Sequence, residues 1–532
     1  MRCFYTREIA LQYTAQTSDL SAVENVLAGI GVLQGGEEDS LHRIYFETFD
    51  WRLIQAGLVL WGEGRGRQDR LVLAASPGGE ELVTVPFRRR PRFYQNLPEG
   101  ALRQRLAPVM EMRALMPVAE IDTRRTHHRL LNEDGKTVVR VMVDQPMLRR
   151  EGEGEVALPH RVTLQPVRGY EEWLHAASEA CDGSPLFEAV ESDLLTDSLT
   201  AMGRQICDYS SKLDISLAPG MRADLATKRI LRTLLDTMEA NIEGTRADVD
   251  SEFLHDLRVA IRRTRSALSQ IKQVFEPEVV EKYREAFGWL GQITGPTRDL
   301  DVYLLEYDSY RDSLPAAMRG DLAPFHAFLE RSQKKAQRAL KRQLDSERFA
   351  TLRQDWRRFL QQPVVGVPSA ANAALPVKAV ADRRIWRMYK RVLREGRAIT
   401  PESPAEDLHE LRKSCKKLRY LIEFFSSLYD EKSIKPLVKA LKRLLDNLGE
   451  FQDLEVHAEH LHDFAAQMQK QGEVPLETLL AMGALVGGLL QRQQSARQAF
   501  AECFEGFDTR DNRASYRRLF KPHAVGEEEA RA

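Results

Sequence analysis

Apolar residues follow two different rhythms along this chain. Up to about Trp173 they come in short alternating or β-branched runs: REIALQY at 7–13, HRIYFETFD at 42–50, GLVLWGEG at 57–64, RLVLAA at 70–75, ELVTVPF at 81–87, TVVRVMVD at 137–144 and HRVTLQPV at 160–167. Gly, Pro, Asn and Asp separate these runs, so they predict β-strands, with one helix expected at Ser21 to Leu33 and a loop at Glu151 to Glu155. From about Pro219 onward apolar residues recur three and four apart within long charged segments, which predicts helices. Residues 361–376, QQPVVGVPSAANAALP, carry three prolines and no charge and read as a linker. The expected layout is a β-rich domain over 1–178, a connector over 179–218, a helical domain over 219–520 with halves 219–360 and 377–520, and a frayed acidic tail over 521–532. The fold class is therefore α+β and multidomain.

The helical part repeats itself. Residues 254–265, LHDLRVAIRRTR, align with 408–419, LHELRKSCKKLR, at an offset of 409 − 255 = 154. The same gapless offset pairs RDLDV (298–302) with QDLEV (452–456) and Gly295 with Gly449. Upstream, RILR at 229–232 matches RMYK at 387–390 at an offset of 158, as a loop four residues shorter in the second copy would produce. Each half is predicted to be a four-helix bundle, the two facing each other across a pseudo-twofold axis.

At 100° per residue, His255, Arg258, Arg262 and Arg265 fall on one narrow stripe, and Leu257, Ile261, Leu268 and Phe275 on a separate apolar face. The second copy repeats this with His409, Arg412, Lys416 and Arg419 on the stripe and Leu411, Cys415, Leu418 and Ile422 on the buried side. Arg263, Lys413 and Lys417 widen the cationic edge. A charged helix face is usually only solvated; duplication of this one, at a cost in like-charge repulsion, points to an anionic partner. Further basic positions stand on neighbouring helices: Lys228, Arg229, Arg232, Arg383, Arg384, Arg387, Arg391, Arg394, Lys435, Lys439, Lys442 and Arg443.

Composition sharpens the picture only locally. The 532 residues carry 77 Lys and Arg against 78 Asp and Glu, a net charge of -1, so any anion-binding surface must come from segregated charge. Between Lys378 and Arg443 there are 18 Lys or Arg against 9 Asp or Glu, a local excess of +9. Five scattered cysteines (Cys3, Cys181, Cys207, Cys415, Cys503) lack zinc or disulfide spacing and fit a reducing cytoplasm. The opening lacks the pattern of a secretory signal, and the apolar run Ala481 to Leu490 falls short of the roughly 20 residues of a membrane helix, so a soluble protein with no membrane partner is expected. A homo-oligomer is compatible with the sequence.

The paired motifs HDLRVAIRRTR and HELRKSCKKLR, each followed by (R/Q)DL(D/E)V, resemble the CHAD family, the conserved histidine α-helical domain, over about Pro219 to Phe520. The resemblance implies two four-helix bundles around a basic channel that binds inorganic polyphosphate and targets proteins to polyphosphate granules. It carries that role onto His255, Arg258, Arg262, Arg263, Arg265, His409, Arg412, Lys416, Lys417 and Arg419; Lys413, Arg229, Arg232, Arg387, Lys439, Lys442 and Arg443 join them as basic neighbours. The acidic pairs Asp299 with Asp301 and Asp453 with Glu455 read either as ligands of a cation accompanying phosphate or, favoured here, as braces of the basic stripe.

Residues 1–175 resemble a CYTH domain, an antiparallel β tunnel or barrel that handles triphosphates, through REIALQY, HRIYFETFDWRLIQAGLVLWGEG and RRTHHRLLNEDGKTVVRVMVD. The resemblance implies an EXEXK strand whose glutamates hold metal; here Glu8 remains, while Ala10 and Gln12 fill the other places. Where the family presents Leu-Arg-x-Arg, this chain has Leu60, Trp61, Gly62 and Glu63, and RVTLQPV lacks the later carboxylates. Glu8 is thus the one weak metal candidate, with Arg124, Arg125, Arg129, Arg140 and Asp144 as possible remnants of a tunnel. His127 and His128, adjacent on a strand, point to opposite faces and do not chelate together. The expectation is a noncatalytic, cofactor-free protein that binds polyphosphate. The alternatives are a metal-dependent triphosphatase or polyphosphatase through the front domain, and a nucleic-acid binder, disfavoured because Tyr420 is the sole aromatic beside the stripe.

Overall fold

The structure is a computed structural model that describes residues 11–15, 20–64, 69–76, 79–150, 152, 154–190, 192–364, 366–472 and 474–522. It divides into two compact units, Met1–Ser210 and Ser211–Ala532. Glu8, Ala10 and all but two residues of the expected tail lie outside the described residues.

The first unit is built on strands β1 (Leu11–Ala15), β2 (Val32–Thr48), β3 (Leu58–Gly64), β4 (Arg70–Ala75), β5 (Glu81–Pro86), β6 (Leu115–Leu131), β7 (Thr137–Arg150), β8 (Gly154–Ala157), β9 (His160–Pro166) and β10 (Phe187–Ala189). All pair antiparallel in the order β10-β1-β9-β7-β6-β2-β3-β4-β5, with β8 on the side of β7. Helices α1 (Leu20–Ala28), α2 (Arg52–Gln55), α3 (Ala101–Met110), α4 (Glu171–Asp182) and α5 (Leu194–Ala201) accompany the sheet.

Period-two alternation fixes which strand residues meet which helix. Ile44, Phe46, Leu60, Leu71 and Leu73 pack with Leu102 and Leu106 of α3. Their alternating neighbours Tyr45, Trp61 and Val72 join Ile121, Leu148 and, from α5, Leu195 and Leu199. The expected antiparallel sheet domain followed by a helical domain is present; among the described residues the sheet is not closed, ending at β5 and β10, and α5 covers one face with apolar side chains. Two boundaries also move. The segment read as a connector supplies β10 and α5 to this unit. The helix expected to reach Leu33 stops at Ala28, because β2 has begun by Val32; a Cβ on Gly31 would stand 2.5 Å from the Leu131 carbonyl oxygen, so the approach of the two strands requires glycine.

The second unit gives the repeat its physical form. In the first copy α6 (Ala223–Arg246), α7 (Ser251–Gln270), α8 (Pro277–Ser313), α9 (Ala323–Leu344) and α10 (Glu347–Gln361) follow one another. The second copy runs through α11 (Val377–Ala398), α12 (Ala405–Phe424), α13 (Glu431–Lys470), α14 (Leu476–Gln498), α15 (Phe500–Phe507) and α16 (Arg510–Phe520). The two motif helices α7 and α12 are each 20 residues long, and the long helices α8 and α13 are 37 and 40. Asp250 starts α7 by accepting hydrogen bonds from the Glu252 and Phe253 N–H groups at 2.9 and 3.2 Å. The linker adds backbone bonds to the start of α6, where the Ala223 and Asp224 N–H groups donate to the Leu375 and Ala373 carbonyls.

The apolar faces are buried as the motif predicts: Leu257, Ile261 and Leu268 are at most 4% exposed, and Leu411, Cys415, Leu418 and Ile422 at most 1%. Each buried aliphatic side chain of this kind contributes about 1.5–3 kcal/mol. Phe275 lies beyond the end of α7 and is half-buried. Both hydrophobic cores are shared between the copies. One joins α6, α7, α10, α11, α12, α15 and α16 with the first parts of α8 and α13 and the last residues of α9 and α14. The other joins the remainders of α8 and α13 with α9 and α14.

Candidate anion-binding site

Because α7 packs against α12, the two cationic stripes come within electrostatic reach of each other. A cleft of about 550 Å³ is lined by His255, Arg262 and Arg263 from α7, by Arg412, Lys416, Arg419, Tyr420 and Glu423 from α12, and by Asp446, Gly449, Glu450 and Asp453 from α13. The charge of Lys416 is opposed first by burial and then by Arg412 and Arg262, which bring its pKa down to about 8. No carboxylate pairs with Lys416 or Arg262 among the described residues. By contrast Arg412 donates to Asp453 at 2.8 Å, and Glu423 takes Arg419 at 2.6 Å and Arg263 at 3.3 Å. With Lys212 and Asp256 included, six Lys or Arg face five Asp or Glu around this cleft, so its lining is close to balanced.

The remaining predicted residues do not line that cleft. Arg258 lies over α8, donating to the Thr294 hydroxyl at 3.1 Å and the Gly291 carbonyl at 3.3 Å; burial works against its charge and Asp299 supports it. The recurring glycines lie beside these arginines: a Cβ on Gly295 would sit 3.5 Å from Arg258 Nη1, and one on Gly449 3.9 Å from Arg412 Nη2, both ordinary contact distances. Arg265 is exposed near Gly291. His409 bonds to the Gln452 side chain of the matching motif on α13, and Lys413 pairs with Glu410. Arg229 and Arg232 line a 450 Å³ pocket with Lys228, where Arg232 donates to the Leu360 carbonyl and Lys228 to the Phe359 and Gln362 carbonyls. Lys439, Lys442 and Arg443 are exposed on α13 and line none of these clefts.

Lys417 and Arg387 belong to a different cavity of about 610 Å³, where α11 and α12 meet the end of α7 and the start of α8. Lys272 and Arg284, also in its wall, were not singled out by the sequence, whose repeats mark α7 and α12 but not the turn after α7. Of the acidic positions, Asp453 braces Arg412 as expected. Asp301 is buried, held by the Gln333 amide at 3.1 Å, with its pKa raised to about 6 by desolvation. No group of three or more His, Cys, Asp or Glu suited to a metal is found among the described residues.

In the first unit the cations meet acids head on. Glu63, in the place of the resemblance's second arginine, is directly opposite Arg43 on β2 and Arg70 on β4, and binds both guanidinium groups at 2.5 Å. Burial raises the pKa of Glu63, but the two arginines outweigh it and leave the pKa lowered. Arg125 and Asp144, opposite across β6 and β7, form a bidentate pair at 2.6 and 2.7 Å. Arg124 points the other way, into a 930 Å³ cleft with Glu38, Asp39, Asp122 and Glu155. Arg129 and Arg140 are exposed and opposite each other, without an acidic partner among the described residues. His128 is buried while His127 is half-exposed, as alternation requires.

Residues 229–462 match the CHAD domain family, and the chain carries a CHAD domain over that range. An uncharacterized protein of Mycobacterium tuberculosis is 26% identical over 238 residues, which are 43% of this chain and 44% of that relative, so the match spans less than half of the relative's length. Among solved structures, the CHAD domain from the plant Ricinus communis covers 59% of this chain and 98% of its own, at 24% identity and a TM-score of 0.45. A Hippeastrum putative adenylyl cyclase described as having a dominant triphosphatase activity covers 38% of this chain and 100% of its own, at 11% identity and a TM-score of 0.27. A putative adenylate cyclase from Bacillus halodurans covers 35% and 94%, at 14% identity and a TM-score of 0.25. No helix among the described residues is long and apolar enough to cross a membrane.

Proposed function

We propose that this protein binds inorganic polyphosphate through its helical unit and is carried by that binding to polyphosphate granules. The observation that supports this most directly is the convergence of cations from both repeats on one cleft, with Arg262 and Lys416 left without carboxylate partners among the described residues. Arginines there would hold phosphate oxygens by bidentate charge-assisted hydrogen bonds, and the lysines by point charge. In this reading the first unit does not catalyse: Arg43, Arg70 and Arg125 are already held by Glu63 and Asp144.

The test is a titration of the full chain with long-chain polyphosphate at rising salt. Affinity is expected to fall at least tenfold between about 50 and 200 mM salt, as when several phosphate charges are neutralised and counterions released. Binding that ignores salt, or no binding, overturns the reading. Competition by DNA or RNA should be weak, since among the described residues Tyr420 is the one Phe, Tyr or Trp lining the cleft; a clear preference for nucleic acid would replace the proposal. Sustained phosphate release from triphosphate with Mg²⁺, abolished by Glu8→Ala, would establish an enzyme instead.

A further inference from the structure

The duplicated stripe is not where unbalanced charge is most concentrated. The 610 Å³ cavity holding Lys417 and Arg387 shares Lys272, Gln273, Arg384 and Arg387 with an adjoining cavity of about 480 Å³, so the two form one groove. Eight Lys or Arg line it, and Glu281 is its one acid among the described residues. Lys272, Arg384, Arg387 and Lys417 have no carboxylate partner among the described residues. Arg384 is held by donating from Nε to the carbonyl of Gln270, the last residue of α7, at 2.6 Å. That bond fixes the guanidinium without cancelling its charge. The Asn372 side chain and backbone similarly pin the turn after α7 through the Lys272 and Gln273 carbonyls at 2.9 and 2.7 Å.

The groove follows the repeat only in part. At the offsets that relate the two copies, Arg384 corresponds to Ala226 (384 − 158) and Lys272 to Ser426 (272 + 154). Arg387 corresponds to Arg229, which lines a separate pocket, and Lys417 to Arg263, which is neutralised by Glu423. The first copy therefore has no counterpart of equal charge.

Resting on the polyphosphate reading above, we propose that this groove, centred on Lys272, Arg384, Arg387 and Lys417, is a second and asymmetric phosphate subsite, one per chain, which alone suffices for short linear phosphates. Lys416 and Lys417 are neighbours on α12, one in the stripe cleft and one in the groove, so a long chain engages both sites and a short chain only the groove.

Calorimetry of the full chain with inorganic tripolyphosphate and with long-chain polyphosphate tests this. Lys272→Gln/Arg384→Gln/Arg387→Gln/Lys417→Gln should weaken tripolyphosphate at least thirtyfold. The steepness of its salt dependence should fall by about one for each cation that no longer meets a phosphate. Arg262→Gln/Arg412→Gln/Lys416→Gln/Arg419→Gln should leave tripolyphosphate within threefold while weakening the long chain. Should the fourfold groove variant lose helicity, Lys272→Gln/Lys417→Gln, which removes two cations without carboxylate partners, should still cost about tenfold. Tripolyphosphate binding that survives the groove variants, or two equivalent sites per chain, overturns the subsite while leaving polyphosphate binding intact. A wild-type chain that binds neither phosphate overturns both.

Discussion

A set of arginines in the sheet unit and a set of cations in the helical unit are satisfied in opposite ways. In the sheet unit Arg43 and Arg70 share Glu63, Arg125 takes Asp144, Arg161 takes Asp197 at 2.7 Å and Arg113 takes Asp50 at 3.2 Å. In the helical unit Arg258, Arg232, Lys228 and Arg384 are anchored on hydroxyl or carbonyl oxygens, and Arg262, Lys416, Arg387, Lys272 and Lys417 lack a carboxylate among the described residues. A carboxylate neutralises the cation it orients, whereas a carbonyl orients it and leaves the charge in place. The first arrangement closes a site to outside anions; the second keeps it open.

Four measurements sharpen or break that contrast. The largest effect is expected from Glu63→Gln, which leaves Arg43 without its counterion and Arg70 with Glu81 alone: the sheet unit should lose about 3 kcal/mol in chemical denaturation. A loss under about 1 kcal/mol would mean that these pairs behave like surface pairs and the contrast is false. Next, Arg258→Ala/Arg262→Ala/Arg412→Ala/Lys416→Ala should weaken long-chain polyphosphate about thirtyfold, or roughly 2 kcal/mol, with helical circular dichroism unchanged because none of the four is on the apolar face. Loss of helicity would make the stripe structural.

Raising the pH from 7 to 9 should then weaken long-chain binding several-fold. Lys416, whose pKa is lowered to about 8, is mostly charged at the lower pH and mostly neutral at the higher one, so its attraction for phosphate is lost as pH rises. Lys416→Arg should flatten this dependence. The smallest effect is Asp453→Asn: freeing Arg412 should tighten binding two- to threefold and shift stability by less than about 1 kcal/mol, because Asp453 is 60% exposed. Weaker binding that metal restores would instead make Asp453 a cation ligand.

The repeat in the sequence reaches into three dimensions because helical periodicity is local: a stripe drawn at 100° per residue already separates Arg262 and Lys416 from Leu257 and Leu411. The duplicated Gly295 and Gly449 were likewise legible, since both lie beneath the arginines the motif repeats. What could not be read depended on pairing distant segments. Lys272 and Arg384 are 384 − 272 = 112 residues apart and share a cavity only because α11 packs beside the end of α7. Glu63 stands out as an acid in place of a cation, but its two partners are fixed by strand register. β10 has three residues and α5 has eight, too short for either period to show, so both were lost in an apparent connector.

The sharing of both cores between the copies has a consequence for the chain's architecture. Severing the polypeptide within residues 361–376 would not release two mini-proteins; each fragment would expose the oily flank meant for its sibling. A solitary copy of the repeat could bury that flank only by joining another of its kind, so the tandem chain is physically equivalent to a two-part assembly whose members have been tied together.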